Sequence, residues 1–393
     1  MSVAAGRLGT KAGGSSRLTA LRARWRAAGD VRTTNSTLLV LVVGVLNVIG
    51  LVMVLSASTV QSLDATGSAW WIFERQLLWT GLGVLGFVLA ARIDYRRWRR
   101  AAVPLLLVAM ALLLVVLVPG IGIWVDGSRR WLGFGSWRLQ PSELAKLGVL
   151  VFIADLLTRR DHELDDWRRV LRPSLLALAG VCALVMLEPD LASTMVIAFV
   201  AACVLIVGGV RLRHLAPIAA AGVALVAAFA LLVPWRRARM LSFLDPWNSA
   251  SHSGYQVTQS LIALGHGGLT GVGLGAGRAK WDFLPAAHTD FIFAIIGEEL
   301  GLLGCALVIG LFIAIAVLGV RTAFRAPDRF GTLLAGGITA WIVGQAVINI
   351  GAVVGVLPVT GVPLPFVSFG GTALVFTMVG AGLLANVARQ GTA

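Results

Sequence analysis

Ten stretches of this chain are apolar enough, and long enough or nearly so, to cross the roughly 30 Å hydrocarbon core of a bilayer. They fall at 37–56, 77–91, 101–119, 142–158, 173–187, 191–210, 215–233, 290–320, 331–356 and 367–387. A water-soluble globule cannot bury ten such segments without coating itself in apolar surface. Composition agrees, at 58% hydrophobic with 46 glycines besides and only 13% charged; an average soluble domain carries about 25% charged residues. The pattern predicts an all-α polytopic membrane protein with ten transmembrane helices, because a helix satisfies its own backbone polar groups in hydrocarbon. The fifth segment is short, and the eighth is long enough to tilt. Cys182, Cys203 and Cys305 lie inside apolar runs and read as small buried hydrophobes, not as a redox or zinc site.

The net charge of +14 raises the question of nucleic acid, which the placement of the charges answers. Seven basic residues, Arg7 to Arg32, crowd residues 1–36 with Asp30 as the only acid. That stretch lacks the apolar centre of a signal peptide, so it is expected to be a disordered cytoplasmic tail ahead of a membrane domain at 37–390. With the N-terminus inside, Lys plus Arg number 23 in inner segments and 9 in outer ones, and Lys146 lies within a span. This bias predicts both termini in the cytoplasm. Eight of the thirteen tryptophans fall in or beside outer segments, at headgroup depth. The longest loop, 234–288 between helices 7 and 8, is then outside, and long loops are disproportionately functional. The basic residues serve topology and lipid headgroups, and no nucleic-acid partner is expected.

Ionisable residues at membrane depth need a partner or a task. Glu143 and Lys146 follow Pro141 at the start of the fourth span, and their i, i+3 spacing makes them neighbours on one face. They form either a structural ion pair or a pair that also holds an anionic headgroup. Glu188-Pro189-Asp190 breaks the chain between two spans, with Asp190 placed to cap the sixth. Asp290 stands at the outer end of the eighth span, with Glu298 and Glu299 two to three turns deeper and on different faces. The outer boundary is therefore expected to carry Asp290, and the glutamates are expected to be paired within the bundle. Arg129, Arg130 and Lys280 are candidates to receive phosphate, or form a headgroup-facing basic rim. The glycines between Gly265 and Gly277 have the wrong spacing for a nucleotide loop and fit turns or a re-entrant segment buried by protein.

In this order the segments resemble the SEDS family (shape, elongation, division and sporulation) from about residue 37 to 390. The resemblance is carried by Gly127-Ser128-Arg129-Arg130-Trp131, by Gln140-Pro141-Ser142-Glu143 with Lys146, and by Glu188-Pro189-Asp190-Leu191. It continues through Tyr255-Gln256, Thr289-Asp290-Phe291-Ile292-Phe293, Gly297-Glu298-Glu299-Leu300-Gly301, Leu357-Pro358-Val359-Thr360-Gly361 and Pro365-Phe366-Val367-Ser368-Phe369-Gly370-Gly371. Phe369 stands where a tyrosine is common.

The resemblance implies a peptidoglycan glycosyltransferase of the cytoplasmic membrane, at the division septum. It would polymerise lipid II on the outer face, release undecaprenyl diphosphate, and work with a class B penicillin-binding transpeptidase and other divisome proteins. An elongation-type polymerase of the same family and a lipid II flippase are the alternatives. The resemblance marks Asp290 as catalytic and Trp131 as functionally sensitive; Arg129, Arg130, Lys146 and Lys280 are candidates to meet the diphosphate, and Glu143, Gln256 and Ser368 join Trp131 as expected substrate-binding residues. Glu188, Asp190, Glu298 and Glu299 would support them. Chemically, a sugar hydroxyl must lose a proton as it attacks an anomeric carbon, and Asp290 is assigned that base role. A metal ligand or an acceptor-orienting group are the roles left open for it. The departing diphosphate needs cations; a divalent ion such as Mg²⁺ would serve but is not required.

Overall fold

The structure is a computed structural model that describes residues 14–391 apart from 126, 135–136, 165, 233 and 251–252. Residues 1–13 of the expected tail, and parts of the loops near 126, 135 and 251, therefore lie outside the described residues. Helices and strands in chain order are α1 (Gly14–Thr66), α2 (Trp71–Arg92), α3 (Trp98–Leu117), β1 (Ile123–Val125), β2 (Ser128–Phe134) and β3 (Trp137–Leu139). They continue as α4 (Pro141–Arg159), α5 (Arg172–Leu187), α6 (Leu191–Val207), α7 (Leu212–Leu231), α8 (Pro234–Leu241) and α9 (Tyr255–Gly267). The last are α10 (Ile292–Phe324), α11 (Arg329–Val353) and α12 (Thr372–Gln390). Each of the ten expected apolar stretches overlaps a helix, although 367–371 precedes α12 and 354–356 follows α11. Among the described residues, seven helices are long and apolar enough to cross a membrane. The helical backbone of α1 starts at Gly14, inside the stretch expected as a tail.

The helices sort by what surrounds them. Leu107 on α3, Leu176 on α5 and Val223 on α7 are exposed, as suits side chains that face lipid tails, since lipid is as apolar as leucine. Central α4 is the opposite case. It carries Glu143, Lys146 and Asp155 and is not among the apolar spans, yet it is buried almost throughout. Its neighbours α3, α6, α11 and α12 wall it off from lipid, so its charges meet protein instead of hydrocarbon. At its C-terminal end Asp155 takes Arg159 at 2.7 Å and Arg99 at 3.2 Å.

Three features correct an expectation of uninterrupted α-structure. The α3–α4 connection folds as a three-stranded antiparallel sheet in the order β1-β2-β3. Gly133 permits it, because a Cβ there would meet the Trp137 carbonyl oxygen at 1.9 Å. Second, the 234–288 loop contains helices α8 and α9. Third, α10 is two helices joined at Gly301, whose φ of 66° a side chain would resist. There the glycine-rich loop repairs the broken ladder. Val272 and Gly273 donate N–H groups to the carbonyls of Glu298 and Glu299, and Leu302 and Leu303 donate to Gly268 and Leu269. The glycines thus serve as turns; Gly265, Gly268, Gly273 and Gly275 are exposed, so the alternative of a segment buried by protein does not describe this loop.

Candidate active site

The half-helix of α10 that ends at Gly301 begins immediately after Asp290, so the break sets where that carboxylate stands. The His288–Phe291 backbone is held from behind by the α11–α12 connection. Asn349 of α11 donates from Nδ2 to the Asp290 carbonyl at 2.7 Å and to the Val362 carbonyl at 2.8 Å. Ser368 Oγ donates to the Thr289 carbonyl at 2.6 Å while accepting the Leu364 N–H at 2.8 Å. The Phe369 N–H donates to the His288 carbonyl at 3.0 Å. Gly361 (φ 78°) brings that connection against the carboxylate itself: a Cβ there would lie 3.6 Å from Asp290 Oδ2. Anchoring at three successive carbonyls fixes the direction of Asp290 far better than its own helix end could.

Asp290 opens onto a cleft of about 500 Å³. Across it stand Arg130 and Trp131 of β2, Arg138 of β3, Glu143 and Lys146 of α4, Asp190 at the head of α6, and Arg75 of α2. Both acids in this wall are engaged. Glu143 Oε1 pairs with Lys146 Nζ at 2.8 Å, both side chains almost fully buried. Lys146 also donates to Gln345 Oε1 at 3.3 Å, which takes the Trp341 Nε1–H at 3.0 Å. Asp190 caps α6, accepting the Ser193 N–H at 3.0 Å and the Ser193 hydroxyl at 2.7 Å, and it also accepts Gln140 Nε2 at 3.2 Å. Arg130 is oriented by the end of α5, donating to the carbonyls of Glu188 (3.1 Å) and Pro189, where helix C-terminal oxygens attract cations. Burial pushes the pKa of His288 down to about 4, so at neutral pH its imidazole is uncharged and adds no cation beside Asp290.

The cleft thus gathers Asp290, Trp131, Arg130, Glu143, Lys146 and Asp190, and Ser368 braces it from behind. Other sequence candidates sit elsewhere. Arg129 lies over the Trp124 ring at 5.4 Å, outside the cleft. Gln256 is on α9 and does not line the cleft. Lys280, expected to meet phosphate, is instead buried against Glu299 at 2.9 Å and donates to Ser56 Oγ at 3.1 Å. A buried ammonium must be neutralised, and Glu299 does that. Glu298 accepts the N–H groups of Arg278 and Ala279 at 2.8 and 3.1 Å. Both glutamates therefore anchor the glycine-rich loop, as the paired acids expected in the bundle. Glu188 is buried outside the cleft, and neither of its carboxylate oxygens has a hydrogen-bond partner among the described residues. Its pKa is pushed up to about 8, first by burial and next by Asp190, against Arg130.

Arg75, Arg138 and Asn349 were not singled out by sequence. The two arginines were visible only as members of an outer cation count. Asn349 carried a signal, a polar side chain inside an apolar span, four residues beyond Gln345. As for a divalent ion, no group of three or more His, Cys, Asp or Glu able to hold a metal occurs among the described residues. A divalent ion carried with a diphosphate would need only one or two carboxylates of the cleft; the chemistry below is built from the chain's own residues.

Comparison with known proteins follows the same lines. The family model described as cell cycle protein (FtsW, RodA, SpoVE) matches residues 36–393. Stage V sporulation protein E of Bacillus subtilis (strain 168) is 38% identical over 358 residues, covering 91% of this chain and 98% of that protein. The probable peptidoglycan glycosyltransferase FtsW of Geobacter metallireducens (strain ATCC 53774 / DSM 7210 / GS-15) is 39% identical over 341 residues, 87% of this chain and 91% of its own. A solved structure described as the structural coordination of polymerization and crosslinking by a peptidoglycan synthase complex superposes with a TM-score of 0.73 at 30% identity. The match covers 89% of this chain and 96% of that one.

Proposed function

Because the chain belongs to the FtsW/RodA/SpoVE family of cell cycle proteins, we propose that the cleft around Asp290 is where it joins lipid II units into glycan strands. The protein is a peptidoglycan glycosyltransferase, a multi-pass membrane enzyme. In the reading put forward here, ten helices span the bilayer with both termini in the cytoplasm. The excess of basic residues on that side supports this orientation, and so does the bias of tryptophans to the other. The cleft then opens to the outer face, and the enzyme acts at the division septum.

One observation carries the catalytic assignment: a carboxylate held by its backbone faces several guanidinium-bearing strands and helices across one cleft. An acceptor sugar hydroxyl attacks the anomeric carbon of the donor, and its proton passes to the Asp290 carboxylate. The bond from anomeric carbon to phosphate oxygen breaks with inversion, and undecaprenyl diphosphate departs with the electron pair. Arg75, Arg130 and Arg138 are placed to take up the charge that gathers on that diphosphate; guanidinium forks match phosphate oxygens in pairs. Trp131 offers the sugar an apolar face. A class B penicillin-binding transpeptidase is the proposed partner, supported by the likeness to a complex that coordinates polymerization with crosslinking, and other divisome proteins would join it.

The test is purified protein with lipid II in detergent, where membrane sidedness is lost and only an enzyme still yields glycan chains. Wild type should polymerise, while Asp290→Ala and Asp290→Asn should be inactive with unchanged melting. Full activity of Asp290→Asn would overturn the base assignment.

A further inference from the structure

Next to the cleft, sharing Asp290, Gly361 and Val362 with it, lies a second and very small pocket of about 10 Å³, also walled by Asn349 and Thr360 among apolar neighbours. Asn349 is 2% exposed, and the orientation of its amide is forced. Both groups met by its nitrogen, the carbonyls of Asp290 and Val362, can only accept hydrogen bonds. The NH₂ must face them, which leaves Oδ1 for the pocket. That oxygen is buried and has no hydrogen-bond partner among the described residues. An orphaned acceptor buried in an otherwise satisfied site calls for a donor.

We propose that this pocket holds one ordered water, and that Asn349 and Thr360 are positioning residues that act on Asp290 through it. The volume is about that of a single water, and the wall supplies the two to four polar partners a buried water requires. The water donates one hydrogen to Asn349 Oδ1 and the other to the Asp290 carboxylate, and it accepts from the Thr360 hydroxyl. Asn349 then grips Asp290 twice, at its carbonyl through Nδ2 and at its carboxylate through the water. The carboxylate keeps one oxygen toward the cleft while the other is tied to the water. Such a tether restricts the rotation of a base that must meet a hydroxyl at hydrogen-bond distance. The inference rests on Asp290 being the catalytic carboxylate.

The experiment measures initial rates of lipid II polymerisation by the full-length protein in detergent, beside its thermal melting. Thr360→Val removes the hydroxyl and keeps the shape, and Thr360→Ser restores the hydroxyl. Losing one hydrogen bond in a chain that ends on a charged group should lower kcat by about tenfold, with KM and melting unchanged. Thr360→Ser should recover most of that loss. Wild-type kcat for Thr360→Val, or equal impairment of Thr360→Ser, would overturn the water bridge, as would a loss matched by a fall in melting. Asp290→Asn measured alongside keeps the two ideas apart. If it is inactive while Thr360→Val is normal, only the bridge fails; if it is active, the assignment of Asp290 itself fails.

Discussion

Replacing Lys146 by Met tests how a charged helix is kept at the centre of a membrane bundle. Lys146 and Glu143 meet at 2.8 Å with side chains 2% and 3% exposed. When the ammonium is removed, Gln345 Oε1 still has the Trp341 N–H at 3.0 Å. Glu143 has no such reserve, because its Oε2 already lacks a partner among the described residues. The whole penalty therefore falls on one stranded carboxylate, a loss of about 3–5 kcal/mol. Arg129→Ala is the control: that side chain is half-exposed and lies over Trp124 at 5.4 Å, and its removal should cost about 0.5–1 kcal/mol. The double variant Glu143→Gln/Lys146→Met deletes both charges and should return to within about 1 kcal/mol of wild type. Thermal melting in detergent of wild type, Lys146→Met, Glu143→Gln and the double variant, read as a double-mutant cycle with Arg129→Ala beside it, makes the comparison. Lys146→Met melting like Arg129→Ala, or a double variant less stable than Lys146→Met, would refute the argument that charge pairing governs α4. Turnover adds a second reading: the double variant should regain stability without regaining full rate, because Lys146 also lines the cleft.

Arg138→Ala and Arg75→Ala should each raise KM for lipid II about tenfold at unchanged melting, and unchanged KM in both would remove them from the diphosphate site. Lys280→Met should lower melting, since Glu299 loses its 2.9 Å partner, yet leave KM for lipid II alone; a KM rise at constant melting would return Lys280 to the substrate. Ser368→Ala strands the Leu364 N–H and frees the Thr289 carbonyl. It should destabilise by about 1–3 kcal/mol, seen as a lower melting temperature. For Glu188, burial first and Asp190 second raise the carboxyl from 4.5 to about 8. The folded protein holds this proton while the unfolded chain releases it. The favourable contribution is complete below about pH 4.5, erodes as pH rises and is gone above about 8. Melting measured across that window should therefore show a downward slope that Glu188→Gln flattens, and an identical slope in the variant would sink the account.

The positions of the helices were legible in the sequence because hydrocarbon imposes one rule on every spanning segment: apolar side chains over the length of the bilayer. The same rule marks exceptions, so Glu143, Lys146, Asp190 and Asp290 stood out against it. Pairing within one turn was legible as well, as with Glu143 and Lys146, since helix geometry fixes neighbours at i, i+3. Only the tertiary structure decided which charges share a cleft. Arg75, Arg138 and Asp290 come from widely separated parts of the chain, and no local spacing relates them. It also reassigned Lys280, whose surroundings depend on the glycine-rich loop meeting a helix break at Gly301. The sheet between α3 and α4 escaped notice because its strands are short and carry mixed polar and aromatic residues without a clean alternation. Membrane depth is a property each residue carries with its neighbours along the chain, whereas a site is a property of chain segments brought together. The first is written locally in hydropathy; the second exists only once the bundle has closed.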